Sequence, residues 1–182
     1  MTVVLYFGTM LLNFYCLLMK KKARALDIWS LIFFGMIFAG NIRDGNCDLG
    51  RYRFHYLQGT SSVESDIWHV EKGYGYLADA FSHFGIPFQL FLLVIFVVCA
   101  FLIFQLMREF ECSYSVFFFL YGFFYFFFTL EVLRFFIAVS LLMLGIKFLL
   151  KNRWLRFILC VLTASLISIS YPLYRMGWKW HR

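Results

Sequence analysis

The chain has 182 residues, of which 63% are hydrophobic, 23% aromatic and only 15% charged, and its mean hydropathy is +0.77. A soluble domain of this length needs more polar surface than that to cover its core. The net charge of +7 does not mark a nucleic-acid binder, because the basic residues stand at the ends of apolar blocks, where lysine and arginine anchor helices to lipid headgroups.

The apolar residues come in long blocks and not in the interrupted stripe of a soluble amphipathic helix. In lipid a helix satisfies its own backbone, and about 20 residues cross a hydrocarbon core of about 30 Å. Such segments fall at about 2–18, 27–42, 86–107, 114–130, 132–150 and 156–173. They predict an all-α fold: a polytopic transmembrane helical bundle of about six spans, with residues 1–182 as a single transmembrane domain. Segment 2–18 lacks the basic leader and small-residue cleavage site of a signal peptide. Lys20, Lys21, Lys22 and Arg24 follow it instead, as they follow a signal anchor whose C-terminal end is cytoplasmic.

That cluster sets the orientation. With it inside, the loop from Arg43 to about Gly85 is external, Arg108 is internal, the turn near Glu131 is external, and Lys147, Lys151, Arg153 and Arg156 are internal. Basic residues divide nine to eight between the sides, so the total decides nothing. Their density in two short internal loops favours this orientation. The block 117–128 (FFFLYGFFYFFF) reads as lipid-facing or helix-packing. A sugar platform needs a polar rim to read hydroxyls, and this block has none. Five cysteines at 16, 47, 99, 112 and 160 form no CxxC or Cys/His cluster, so neither a disulfide framework nor a zinc site is expected.

Chemistry concentrates in the external loop, which holds Arg43, Asp44, Asp48, Arg51, Arg53, His55, Glu71 and Asp79 among its ionisable residues. Asp48, Tyr52 and Tyr56 are spaced i, i+4 and i+8, one face of a helix. Val70, Tyr74, Leu77, Phe81 and Phe84 recur at helical spacing, so 70–84 reads as an amphipathic helix lying on the membrane surface. Both stretches also fit a solvated loop with an apolar underside. Arg134 is the other outlier, near the external end of the fifth segment. An ionisable residue there is a functional candidate, or else an i, i+3 ion pair with Glu131 that snorkels to the interface.

Taken in order, these residues resemble the EpsG family, Wzy-like membrane proteins of exopolysaccharide and capsule gene clusters. The likeness runs through Arg43, Asp48 and Tyr56, then Glu71–Lys72–Gly73–Tyr74, then Arg134–Phe135–Phe136–Ile137–Ala138, then Ala164–Ser165–Leu166–Ile167–Ser168. It covers about residues 1–175. Phe135 stands where the family usually has glutamine, and Ser168 where it usually has histidine. Family members also run to about twice this length with further spans, and RMGWKWHR does not continue the hydrophobic pattern. A truncated member, the N-terminal half of a longer architecture, is therefore expected.

The resemblance implies polymerisation of polyprenyl-pyrophosphate-linked oligosaccharide repeat units on the outer face of the bacterial cytoplasmic membrane. The partners would be that lipid-linked oligosaccharide, membrane lipids and other polysaccharide assembly proteins. Arg43 and Arg134 would bind the pyrophosphate with Tyr56 and Tyr74 beside them, and Asp48 or Glu71 would act as general base. No metal-binding aspartate pair is present, so no metal or other cofactor is expected. A non-catalytic membrane partner of polysaccharide assembly or export, or an inactive truncated polymerase, is the alternative. A transporter or channel is disfavoured, because the apolar segments lack the broken helix pairs that mark midplane binding sites.

Overall fold

The computed structural model of the chain describes residues 2–19, 23–40, 47–58, 72–125 and 133–168. Helix is the only regular structure among them. Helix α1 runs Thr2–Leu18, α2 Arg24–Gly40, α3 Cys47–Gln58, α4 Lys72–His83 and α5 Phe88–Glu109. Helix α6 spans Tyr114–Leu120 and widens into a π-helical turn over Tyr121–Tyr125. Then come α7, Leu133–Leu150, and α8, Trp154–Ser168. By length and composition α5 and α7 are long and apolar enough to cross a membrane. Shorter apolar helices occupy Val4–Leu18, Tyr114–Phe123 and Trp154–Ile167. Of the six expected spans two thus reach full length, while residues 126–132 and 169–182 lie outside the described residues.

Three helices stop in the same way. Gly85, Glu111 and Asn152 have φ of 68°, 53° and 55°, the left-handed conformation that ends a helix. In each case the next amide closes a wide turn on a carbonyl five residues back. Ile86 bonds Phe81 at 3.3 Å, Cys112 bonds Met107 at 3.0 Å, and Arg153 bonds Phe148 at 2.9 Å. The second of these turns leads into α6, whose first free amide, on Ser115, donates to the Ser113 hydroxyl at 3.3 Å. Tight stops of this kind return the chain as antiparallel neighbours.

Helix α5 is central, packed on α2 and α7, while α1 lies against α6 and α8 against α7. The core between them is aromatic. Phe96 of α5 meets Tyr121 at 5.5 Å and Phe38 of α2 at 5.6 Å, and Phe34 of α2 meets Tyr121 at 5.7 Å and Phe118 at 6.1 Å. Edge-on and offset ring pairs of this spacing add about 0.5–1.5 kcal/mol each beyond their area. Within the block 117–128, Phe118 and Tyr121 are buried in helix packing and Leu120 and Phe123 are exposed, while residues 126–128 lie outside the described residues. Gly35 permits the approach of α2: a Cβ there would stand 3.0 Å from Leu93 Cδ1 and 3.1 Å from Phe96 Cδ1.

Polar pins cross the apolar packing. Asn13 Nδ2 donates to the Thr9 carbonyl and to Ser30 Oγ, each at 2.8 Å, and the Tyr6 hydroxyl donates to the Gly122 carbonyl inside the π-helical turn. At one end of the bundle Glu109 of α5 accepts from Lys151 at 2.7 Å and lies 3.5 Å from Lys147, which donates to Gln105 at 2.7 Å. The opposite end carries α3, α4 and the first turns of α5 and α7. Helix α4 was expected on a membrane surface. Its face instead turns inward, burying Tyr74 and Ala78, with Leu77 and Phe81 partly buried against the core, while Tyr76 and Phe84 are exposed. Val70 lies outside the described residues.

The packing of α7 on α8 depends on Gly145, where an added Cβ would sit 3.2 Å from Cys160 Cβ and 3.3 Å from Phe157 Cδ2. Small residues let helix backbones approach in this way. Replacing Gly145 with leucine is expected to splay the pair and cost about 1–3 kcal/mol. A thermal unfolding midpoint in detergent equal to wild type would show the contact to be loose.

Candidate functional site

The Arg134 end of the bundle is built from four elements. Helix α3 forms because Tyr52 and Tyr56 fall one turn apart on a single face, and both are buried while Phe54 and Leu57 between and beyond them are exposed. Tyr56 ties α3 to the start of α5. Its ring lies 4.9 Å from Phe91 and 5.3 Å from Phe88, and its hydroxyl donates to the Ile86 carbonyl at 2.6 Å. Burial raises the pKa of this phenol, so it remains a donor.

Arg134 sits in the first turn of α7. Its Nε–H donates to the Tyr52 hydroxyl, and its Cζ lies 5.6 Å from the centre of the Tyr52 ring. A guanidinium is planar and weakly hydrated, which lets it bond and stack on the same residue. The Tyr52 ring in turn meets Tyr74 of α4 at 4.8 Å, and Tyr74 meets Phe91 at 6.2 Å. The four elements therefore converge on the chain Arg134–Tyr52–Tyr74–Phe91.

Two polar atoms in this layer are buried and unpartnered, the Tyr74 hydroxyl and His55 Nδ1. Tyr74 is 0% and His55 6% exposed. Burial, with Tyr52 and Tyr56 adding to it, pushes the Tyr74 phenol up, and burial lowers His55. Both groups are consequently neutral at neutral pH. Phe135, next to Arg134, is half exposed, whereas Phe136, Ile137 and Ala138 are buried. The position where the resembling proteins usually carry glutamine thus faces away from the core.

Of the residues singled out from sequence, Arg134, Tyr56 and Tyr74 come together with α3. Asp48 lies in α3 one turn before Tyr52. Arg43 and Glu71 lie outside the described residues, as does Glu131, the alternative partner of Arg134. Tyr52 and His55 were not among the expected site residues. The i, i+4 spacing of Tyr52 with Tyr56 was visible, but spacing alone does not say which tyrosine meets an arginine from a helix 82 residues on. Among the described residues no three of His, Cys, Asp and Glu gather where a metal ion could sit.

An all-helical bundle of apolar helices, with a buried tyrosine and arginine layer at one end, defines a class of protein that places polar chemistry at the edge of an apolar body. The sequence matches the EpsG family over residues 25–175, and the chain belongs to that family, which points to a role in exopolysaccharide biosynthesis. No curated protein and no solved structure matches the chain significantly.

Substitutions at Tyr52 separate the two contacts it makes with Arg134. Tyr52→Phe removes the hydroxyl acceptor and keeps the ring, and is expected to destabilise by about 1.5–3 kcal/mol, the range for bonds to charged groups. Tyr52→Leu removes the ring as well and is expected to cost more. Equal unfolding midpoints for the two variants would show that the ring contributes nothing.

Proposed function

We propose that this protein is a multi-pass protein of the bacterial cytoplasmic membrane with about six spans. In this reading it joins polyprenyl-pyrophosphate-linked oligosaccharide repeat units on the outer face. The apolar flanks support a membrane setting: Leu155 and Leu166 of α8 are 74% and 70% exposed, and Val4 of α1 is 76% exposed, surfaces that lipid would cover. The basic residues Arg24, Arg108, Lys147, Lys151, Arg153 and Arg156 flank the Glu109 end. Their density in short loops favours an orientation with α3 and α4 outside.

The observation that carries the reading is Arg134, a cation anchored on Tyr52 at the outer edge of the bundle. A polyprenyl diphosphate brings its headgroup to that depth. In the reaction the acceptor sugar's hydroxyl oxygen bonds to the donor's anomeric carbon as the bond from that carbon to the pyrophosphate oxygen breaks. The electron pair leaves on the pyrophosphate, where Arg134 and Arg43 would hold the developing charge by paired hydrogen bonds. The hydroxyl proton passes to a carboxylate, Asp48 or Glu71. Tyr56 holds α3 against Ile86, which keeps Tyr52 under the guanidinium.

A second reading, a non-catalytic membrane partner of polysaccharide assembly or export, is favoured by Ser168 at the position where the family usually has histidine. Polymer formed by purified protein from lipid-linked repeat units separates catalysis from scaffolding. Arg43→Lys and Arg134→Lys keep the charge but lose the planar fork. Each is expected to lower polymerisation by about 10²-fold, the scale for loss of one charge-stabilising donor, and to shorten the polymer in cells. Normal polymer from both variants would remove the pyrophosphate role.

A further inference from the structure

Buried polar atoms without a hydrogen-bond partner are rare in folded proteins, and each one calls for an explanation. Among the described residues they are Asn13 Oδ1, His55 Nδ1 and the Tyr74 hydroxyl. Asn13 belongs to the α1–α2 contact, where its amide nitrogen is already bonded to Thr9 and Ser30. The other two lie on α3 and α4, His55 on the first and Tyr74 on the second. A phenylalanine at position 74 would fill the same space between Tyr52 and Phe91 without burying a hydroxyl, and an apolar residue at 55 would do the same for the imidazole. Folding alone therefore gives no reason for either polar atom.

We propose that the Tyr74 hydroxyl and His55 Nδ1 form the sugar-reading part of the site, each bonding a hydroxyl of the glycan residue attached to the diphosphate held at Arg134. The inference rests on the reading of Arg134 given above and adds the contacts for the sugar. Position supports it. The Tyr74 ring lies 4.8 Å from that of Tyr52, whose hydroxyl receives Arg134, so Tyr74 stands one ring away from the guanidinium. His55 follows Tyr52 by three residues, on the same side of α3.

Chemistry supports it as well. Burial keeps the phenol protonated and the imidazole uncharged. Two neutral groups in a desolvated layer suit sugar hydroxyls, which both donate and accept, better than a diphosphate, which needs cations. A site built to bond a hydroxyl discriminates strongly, because a ligand lacking it leaves buried polar groups unpaired. Tyrosine rings beside directional polar atoms supply the rim that the phenylalanine block 117–128 lacks. Both atoms are closed off from solvent, so a glycan reaches them by parting α3 from α4. The ring contact of Tyr52 with Tyr74 is what must open, and α4 runs from Gly73 near its start to Gly85, at φ 68°, just beyond its end.

The test uses the full chain purified in detergent, as wild type, Tyr74→Phe, His55→Leu and Arg134→Lys. Thermal unfolding is followed without ligand, with polyprenyl diphosphate, and with the lipid-linked repeat unit extracted from native membranes. Without ligand, Tyr74→Phe and His55→Leu are expected to unfold at a higher temperature than wild type, because each removes an unpaired buried polar atom. Bare diphosphate is expected to stabilise wild type and these two variants equally, while Arg134→Lys loses that response. The glycan is expected to add a further rise in wild type only, its affinity falling at least about tenfold in Tyr74→Phe and His55→Leu. A wild-type glycan response in both variants, or unfolding of both below the wild-type temperature, overturns the sugar contacts and leaves the diphosphate role of Arg134 standing. No response of wild type to bare diphosphate overturns both.

Discussion

The hydrogen bond and ring contact between Arg134 and Tyr52 organise the chemical end of this molecule. A guanidinium at the edge of an apolar bundle is a permanent cation. It must be paired, stacked or wet. Here the first turn of α7 delivers it to Tyr52 of α3, which offers an oxygen and a ring together. That single contact joins segments more than 80 residues apart in sequence and puts Tyr74 of α4 within one ring of the charge.

The remainder of the fold serves to hold that contact at a fixed place. Phe34 and Phe38 of α2, Phe96 of α5, Phe118 and Tyr121 around the π-helical turn, and Phe136 of α7 interlock at the centre. Phe136 is two residues from Arg134, so the aromatic core sets the height and rotation of the turn that carries the guanidinium. At the far end the Lys147–Gln105 and Lys151–Glu109 bonds tie α7 to α5 a second time. Pinned at both ends, α7 has little freedom to rotate Arg134 away from α3. A π-helical turn such as Tyr121–Tyr125 leaves backbone carbonyls without their usual partners, and often accompanies function. In this molecule Tyr6 takes one of them, which binds α1 to the same core.

The helices were legible because long apolar blocks admit no other regular structure in lipid. Expected and observed bounds agree within a few residues for α1, α5 and α7. For 48–56 the recurrence of Asp48, Tyr52 and Tyr56 at one-turn intervals made a shared helix face legible, though the stretch fitted a solvated loop as well. The destination of its face was not, because a periodic pattern marks an apolar side without naming what covers it. Helix α4 makes the same point: of the expected face, Tyr74, Leu77 and Phe81 turn to protein where a membrane surface was expected, and Phe84 stays exposed. Arg134 stood out as a charge in an apolar run, but its bond to a neutral tyrosine is one that no count of charges could supply. His55 was hidden for a related reason. An unpaired ring nitrogen is a property of packing, and a sequence records only that a histidine is present.

The central claim is that Arg43 and Arg134 meet on one side of the membrane, where a lipid diphosphate can rest between them. Arg134 is placed by its tyrosine, while Arg43 belongs to the stretch that follows α2. Cysteines introduced singly and together at 43 and 134, in a chain freed of its native cysteines, measure the arrangement directly. The account expects a membrane-impermeant maleimide to label both positions from outside intact cells, and a short bifunctional reagent to join them. Labelling of the two positions from opposite sides, or no crosslink at any linker length, contradicts it.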